Sequence, residues 1–326
     1  MVNNANWLLP EGVEEILPTE ALELEMLRRK LIDDFTAKGF SLVMPPIMEF
    51  ADALLSGTGT ELDTQTYKFM DQHTNRMLGI RADITPQIAR IDSHYLAHND
   101  VNRLCYSSTV LRTKPAEMGG QRELQQTGVE IFGVEGTDAD KEVIAAMLDA
   151  LALAKVEQLT LSLSHVALYR CLISRLELSE LEEANLQNIL LRKSTPELIE
   201  FNRALDGKLS SMVTLISLQG GVDVVAEAKN VLPQDRELHL ALEELQETIE
   251  FVEEAYPEVN IHLDLSDVAG YRYYTGLKHS AYIPGRGRTV AKGGRYDSIG
   301  EHFGRARPAT GFSLDLKTLV KLGHKV

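Results

Sequence analysis

The stretch Arg103–Val134, RLCYSSTVLRTKPAEMGGQRELQQTGVEIFGV, reads as two strands separated by a long polar connection. Arg103–Leu111 and Gly128–Val134 are rich in β-branched, aromatic and aliphatic residues. The intervening Arg112–Gln126 carries too much charge and glycine for a core segment, so it is a loop at the surface of the sheet.

Outward from this pair, the upstream chain alternates between helix and strand signals. Thr19 is the expected N-cap of a helix on which Leu22, Met26, Leu27, Leu31 and Phe35 recur at helical spacing until Gly39. A strand at Ser41–Met44 is halted by Pro45-Pro46, Tyr67–Met70 and Met77–Arg81 read as a hairpin, and Thr85–Tyr95 reads as a helix. Downstream, Thr137-Asp138 begins a helix. Residues 166–258 then form a run of leucine-rich amphipathic segments broken at Pro196, Gly207, Gly220-Gly221 and Pro233. Strand character returns at Ile261–Leu265 and continues through glycine-rich hairpins to Leu314. The expected organisation is an α+β unit over 1–165 and 259–326, with 166–258 inserted as a small helical domain.

With 326 residues, 44% hydrophobic and 25% charged, the composition is that of a soluble globular chain. A net charge of −15 disfavours nucleic acid as a partner, because such affinity depends on cations neutralising phosphates. Cys105 and Cys171 form no CxxC pair and read as buried reduced thiols. The N-terminus lacks a basic segment followed by an apolar run, and no stretch reaches the about 20 apolar residues that span a bilayer. The expected location is the cytoplasm, with no membrane association.

Generic site motifs are missing. No GxxxxGK[ST] loop occurs, and no GxGxxG opens a helix after a strand. His94 and His98 share a helix face, but a zinc site needs three or four ligands and no third is evident. No metal is expected.

Several segments, taken in order, resemble the class II aminoacyl-tRNA synthetase core in its histidyl-tRNA synthetase branch, over Glu11–His165 and Ile261–Lys317. The helix ending at Gly39 and the strand running into Pro45 resemble the dimer-building motif one. Gly79–Arg90, GIRADITPQIAR, is similar to the segment whose acidic and hydroxyl positions hold the amino group of histidine, here Asp83 and Thr85. In the motif-two loop Arg112 is kept, Lys114 replaces a glutamate, Gly120 replaces an arginine and Arg122 keeps one. Gln126 and Glu130 match the pair that contacts histidine. Val268–Gly276, VAGYRYYTG, resembles the imidazole-pocket segment: Tyr273 and Tyr274 keep its two tyrosines, whereas Ala269 stands at the catalytic arginine and Arg272 at an aspartate. In ATGFSLDLKTL (Ala309–Leu319) the ATP-clamping arginine position carries Thr318, after Lys317. Stabilisation of developing charge is usually the largest catalytic contribution, with single donors worth about 10²–10³ in rate, so losing three cations from one phosphate site leaves adenylation negligible. Only nine residues follow Lys317, where a synthetase continues into an anticodon-binding domain of about a hundred residues.

Together with AKGGRYD (Ala291–Asp297), these forms resemble the regulatory subunits of ATP phosphoribosyltransferase. The resemblance implies an α+β fold, a class II synthetase-like antiparallel sheet with flanking helices plus the helical insertion. It also implies a chain with no catalytic residue and no cofactor. Such a chain pairs through motif one into a homodimer, within a hetero-octamer with a short-form catalytic subunit. It activates that partner and transmits feedback inhibition by histidine in the first step of histidine biosynthesis. The implied histidine-binding residues are Asp83, Thr85, Arg112, Gln126, Glu130, Tyr273 and Tyr274. Two alternatives are a free-standing paralogue that makes a histidyl adenylate, opposed by Lys114, Ala269 and Thr318, and a scaffold without a ligand, opposed by the retained polar set.

Overall fold

The computed structural model describes residues 8–56, 60–98, 100–115, 120–285 and 289–323; residues 1–7 of the stretch read for a secretion signal and 116–119 of the polar connection lie outside them. Helix α1 (Pro18–Ala37) has Leu17, not Thr19, at its cap. Pro18 displaces the expected start, since its fixed φ and missing N–H suit the first helical position. The apolar row of this helix divides: Leu27, Leu31 and Phe35 are buried, while Leu22 and Met26 are 62% and 49% exposed. Strand β1 (Ser41–Leu42) stops short of the expected Met44, because the prolines beyond it cannot donate to a ladder.

Strand β2 (Met48–Phe50), helices α2 (Ala51–Leu54) and α3 (Thr60–Gln65), and strands β3 (Tyr67–Met70) and β4 (Met77–Ile80) follow. They build a small antiparallel sheet in the order β2-β4-β3, with the hairpin at β3–β4 as expected. After α4 (Thr85–His94), β5 (Asn102–Leu111) and β6 (Glu123–Phe132) pair antiparallel along their whole length. The polar residues Glu123–Gln126, expected in the connection, thus belong to β6: cross-strand pairing outweighs their polarity.

The remaining elements are α5 (Thr137–Leu153), β7 (Thr160–His165), α6 (Val166–Ile173), α7 (Glu180–Leu191), α8 (Thr195–Ala204), α9 (Ser210–Ser217), β8 (Gln219–Gly220), α10 (Val224–Val231), α11 (Arg236–Ala255), β9 (Asn260–Asp264), β10 (Leu277–Tyr282), β11 (Thr289–Arg295), β12 (Ala309–Asp315) and α12 (Leu316–Gly323). Among the described residues a nine-stranded sheet runs β1-β5-β6-β12-β11-β10-β7-β9-β8. It is antiparallel except at β1–β5 and β7–β9, which are parallel.

One face of this sheet carries the main core, where Val129, Ile131, Leu161, Leu163 and Phe312 meet residues of α1, α5 and α11. The other carries a smaller cluster of Ile84, Ile88, Leu104, Tyr106, Phe132 and Tyr296, with α4 packed over it. Buried residues of the helical stretch, such as Leu186, Leu215 and Leu245, join the main cluster, and β8 from that stretch extends the sheet. A division of the chain at 166 and 258 is therefore one we propose from composition, with a shared core. Among the described residues no helix is long and apolar enough to cross a membrane.

Candidate functional site

Directly paired residues of neighbouring strands share a face of the sheet. On the α4 side one transverse row runs Leu104, Glu130, Gly311, Gly294, Lys278, Ser164 across β5, β6, β12, β11, β10 and β7. The two glycines leave the middle of the row without side chains. At Gly311 a Cβ would stand 1.6 Å from Glu130 Oε2, so only glycine lets that carboxylate lie across the strand.

Glu130 is 1% exposed. Its Oε1 accepts from Thr85 Oγ1 at 3.0 Å and from Tyr106 OH at 3.1 Å, and its Oε2 accepts a short hydrogen bond from Tyr296 OH. A carboxylate offers about four acceptor positions, and three hydroxyls occupy three of them. Burial pushes the Glu130 carboxyl up to about 8; the three hydroxyl donors pull it down, and the negative charge of Asp83 adds to the rise.

Asp83 and Thr85 lie at the start of α4. Asp83 Oδ1 accepts from Thr85 N at 2.9 Å and from Gln126 Nε2 at 3.2 Å, while Gln126 Oε1 accepts from Ile84 N at 3.0 Å. Gln126 is 4% exposed, so its amide is spent on holding this turn. Asp83 Oδ2 has no hydrogen-bond partner among the described residues. Thr85, having given its proton to Glu130, keeps its lone pairs. Arg112 donates through Nε to Ala82 O at 3.1 Å, which sets its guanidinium beside the same turn. Its Nη atoms have no partner among the described residues.

Tyr273 and Tyr274 meet edge to face with centroids 5.1 Å apart, and Tyr273 stacks on Tyr296 at 5.1 Å and 22°. Burial keeps the phenols of Tyr106, Tyr273, Tyr274 and Tyr296 protonated, raising each above its ordinary range. The structure thus gathers Asp83, Thr85, Gln126 and Glu130 into one hydrogen-bonded set, places Arg112 beside it through Ala82, and joins Tyr273 through the ring of Tyr296. Tyr274 enters through its contact with Tyr273.

Tyr106, Tyr296, Gly311 and Lys278 are site residues that the sequence reading did not assign. Tyr296 and Gly311 sit inside recognisable segments, yet nothing local marks one as a carboxylate partner and the other as its floor. Lys278 Nζ lies 5.5 Å from the centroid of the Tyr274 ring and bonds Asp267 Oδ2 at 2.8 Å and Ala269 O at 2.6 Å. Burial lowers its pKa, against the opposing pull of Asp267.

Three further polar groups of these segments are engaged within the fold. Arg122 bonds the carbonyls of Arg112 and Glu11, and Lys317 bonds Glu123 at 3.0 Å. Thr318 bonds Asp315 through both N and Oγ1, at the start of α12. Lys114 is exposed.

Elsewhere, a cleft of about 580 Å³ is lined by residues including Glu135, His165, Glu244, Arg295, Glu301 and Arg307. Its arginines are tied to Asp140, Asp297 and main-chain carbonyls. Both cysteines are free and buried. Cys171, Asp235 and Glu237 bring possible ligand atoms within 4.8 Å of one another, but Asp235 already caps α11 and pairs with Arg175. His94 packs edge-on against Phe303.

Residues 12–319 match the family model described as Histidyl-tRNA synthetase. An ATP phosphoribosyltransferase regulatory subunit of Nitrosococcus oceani is 48% identical over 320 residues, covering 97% of this chain and 80% of that protein. The solved ATP phosphoribosyltransferase regulatory subunit/histidyl-tRNA synthetase of Bacillus halodurans has a TM-score of 0.84 at 28% identity, covering 97% of this chain and 83% of that one. A chain of the ATP phosphoribosyl transferase complex of Thermotoga maritima has a TM-score of 0.71 at 19% identity, covering 90% and 97%, a likeness of fold.

Proposed function

Because this chain belongs to the histidyl-tRNA synthetase-like family of ATP phosphoribosyltransferase regulatory subunits, we propose that the pocket around Glu130 receives free histidine and reports it to a catalytic partner. The observation that carries this reading is the buried Glu130 carboxyl, met by the hydroxyls of Thr85, Tyr106 and Tyr296, which in its ionised form has one acceptor position left. An imidazole N–H fits that position, with the ring against Tyr273 and Tyr274. The ammonium goes to Asp83 Oδ2 and the lone pairs of Thr85, and the carboxylate to the Nη atoms of Arg112 in a charge-assisted pair. Gln126 positions Asp83.

The proposed partner is a short-form catalytic ATP phosphoribosyltransferase subunit, with this chain as a homodimer inside a cytoplasmic hetero-octamer. In that assembly it activates the partner and transmits feedback by histidine. The Thermotoga maritima chain of similar fold, solved as part of an ATP phosphoribosyl transferase complex, supports such a partner. For histidine to inhibit, its affinity must differ between two states of the assembly, typically by 1–3 kcal/mol or about 5–150-fold.

Calorimetric titration of the assembled complex with histidine tests the pocket. Glu130→Ala and Asp83→Ala are expected to lose histidine binding and feedback inhibition while activation of the catalytic subunit persists. Complexes of both variants that kept full histidine sensitivity would move the feedback site elsewhere.

A further inference from the structure

The segment that carries Tyr273 and Tyr274 is fastened on both sides of the two rings, and before them Lys278 of β10 holds the Ala269 carbonyl. Downstream, Thr275 N donates to Arg295 O of β11 at 2.7 Å. Upstream, Tyr271 adds a fastening that reaches the helical stretch. The Tyr271 hydroxyl donates to Glu183 Oε1 at 2.9 Å and accepts from Gln187 Nε2 at 2.5 Å, both on α7, and from Arg272 Nε at 2.9 Å. A phenol has one proton and two lone pairs, so every hydrogen-bonding position of this oxygen is used. The Tyr271 ring meets Tyr169 of α6 edge-on at 5.2 Å, and its carbonyl accepts from Arg170 Nη2 at 2.6 Å.

Tyr271 adjoins the turn that aims the two pocket rings. Gly270, at φ +69°, accepts from Tyr273 N at 2.8 Å and Tyr274 N at 3.0 Å. A side chain there would be strained in φ and pressed against the Tyr274 ring. From Tyr273 the contacts continue by stacking to Tyr296 and through its hydroxyl to Glu130. A phenylalanine would pack against Tyr169 equally well. What the hydroxyl adds is a link to two half-buried side chains of α7.

We propose that Tyr271 is a positioning residue of the ligand pocket, through which α7 sets the placement of Tyr273 and Tyr274 and in turn responds to the occupant. This rests on the reading of the pocket as a histidine site. Binding free energies are reciprocal, so if α7 tunes histidine affinity, histidine alters the stability of α7.

Two variants test it in the full-length chain. Tyr271→Phe keeps the ring and removes the hydroxyl; Gln187→Ala removes a partner on α7 that makes no contact with the pocket set. In ligand-free protein, both are expected to raise hydrogen–deuterium exchange severalfold at the amides of 273–275. By calorimetry, both should weaken histidine binding about 5–20-fold, a coupling within the usual range. The double variant should be no worse than either single one, as expected for a shared interaction. Histidine should slow exchange across 180–191 in the wild type, and fail to do so in Tyr271→Phe while still protecting 83–85. Unchanged exchange at 273–275 in both variants, or unchanged affinity and an unchanged α7 response, would overturn the proposal. If the wild type binds no histidine, the pocket reading falls, and exchange at 273–275 alone decides the role of Tyr271.

Discussion

Glu130 is the residue on which the site turns, and its protonation is open to direct measurement. Its carboxyl titrates at about 8 in the folded chain, mainly through burial, against an ordinary glutamate value once the chain unfolds. A carboxyl raised in the folded state contributes stability that is complete below the unfolded value and is lost as pH rises through the folded one. The ligand-free protein should therefore lose stability between about pH 4.5 and 8 relative to Glu130→Gln, by at most on the order of 5 kcal/mol. Urea unfolding of both proteins at several pH values checks this, and parallel curves would show that Glu130 ionises normally. A carboxyl so poised also makes histidine binding depend on pH, since an anionic Glu130 accepts an imidazole N–H more strongly than the neutral acid does.

Among the elements, α1 and the small sheet carry apolar side chains that stay exposed among the described residues. Leu22 and Met26 on α1 are joined as exposed residues by Met44 at 78%, Ile47 at 51%, Met48 at 45%, Phe69 at 41% and Met70 at 53%. Scattered exposed apolar residues are ordinary, but these fall on helix α1, on the connection between β1 and β2, and in the adjoining small sheet. The proposed homodimer accounts for them. Light scattering at micromolar concentration should give a dimer for the wild type. Leu22→Glu/Met26→Glu should be monomeric with unchanged helix content, since both positions are already solvent-facing in one protomer. A monomeric wild type would remove the dimer from the proposed assembly.

For the whole molecule, the distribution of cations separates regulation from catalysis. Gly120, Ala269 and Thr318 stand where the synthetase pattern has arginines, and Arg122, Lys278 and Lys317 are engaged by carbonyls and carboxylates of the fold. Arg112 retains free donors beside the pocket among the described residues, and one ligand carboxylate would use them. At the three positions where the resemblance places arginines, no cation is present to meet the developing charge of adenylate formation. The purified chain should therefore show no histidine-dependent exchange of labelled pyrophosphate into ATP. Exchange at a synthetase-like rate would restore the histidyl-adenylate alternative. The family to which the chain belongs fits the absence of that chemistry, being one of regulatory subunits.

The sequence by itself carried the class of the fold in the order of its strands and helices, and it offered most of the polar set through resemblance to the synthetase motifs. Strand periodicity at β5, the hairpin at β3–β4, and the residue types at Asp83, Thr85, Gln126 and Glu130 are all legible without coordinates. Element ends were less so: Pro18 moved the start of α1, and pairing with β5 drew Glu123–Gln126 into β6. Only the tertiary structure decided that Gln126 braces Asp83, that Tyr106 of β5 and Tyr296 just past β11 converge on Glu130, and that Gly311 makes room for its carboxylate. It also decided that the helical stretch shares the core of the sheet and holds Tyr271. These contacts join residues tens to more than a hundred positions apart, and they are set by register across the sheet and by packing, which local sequence preference does not encode.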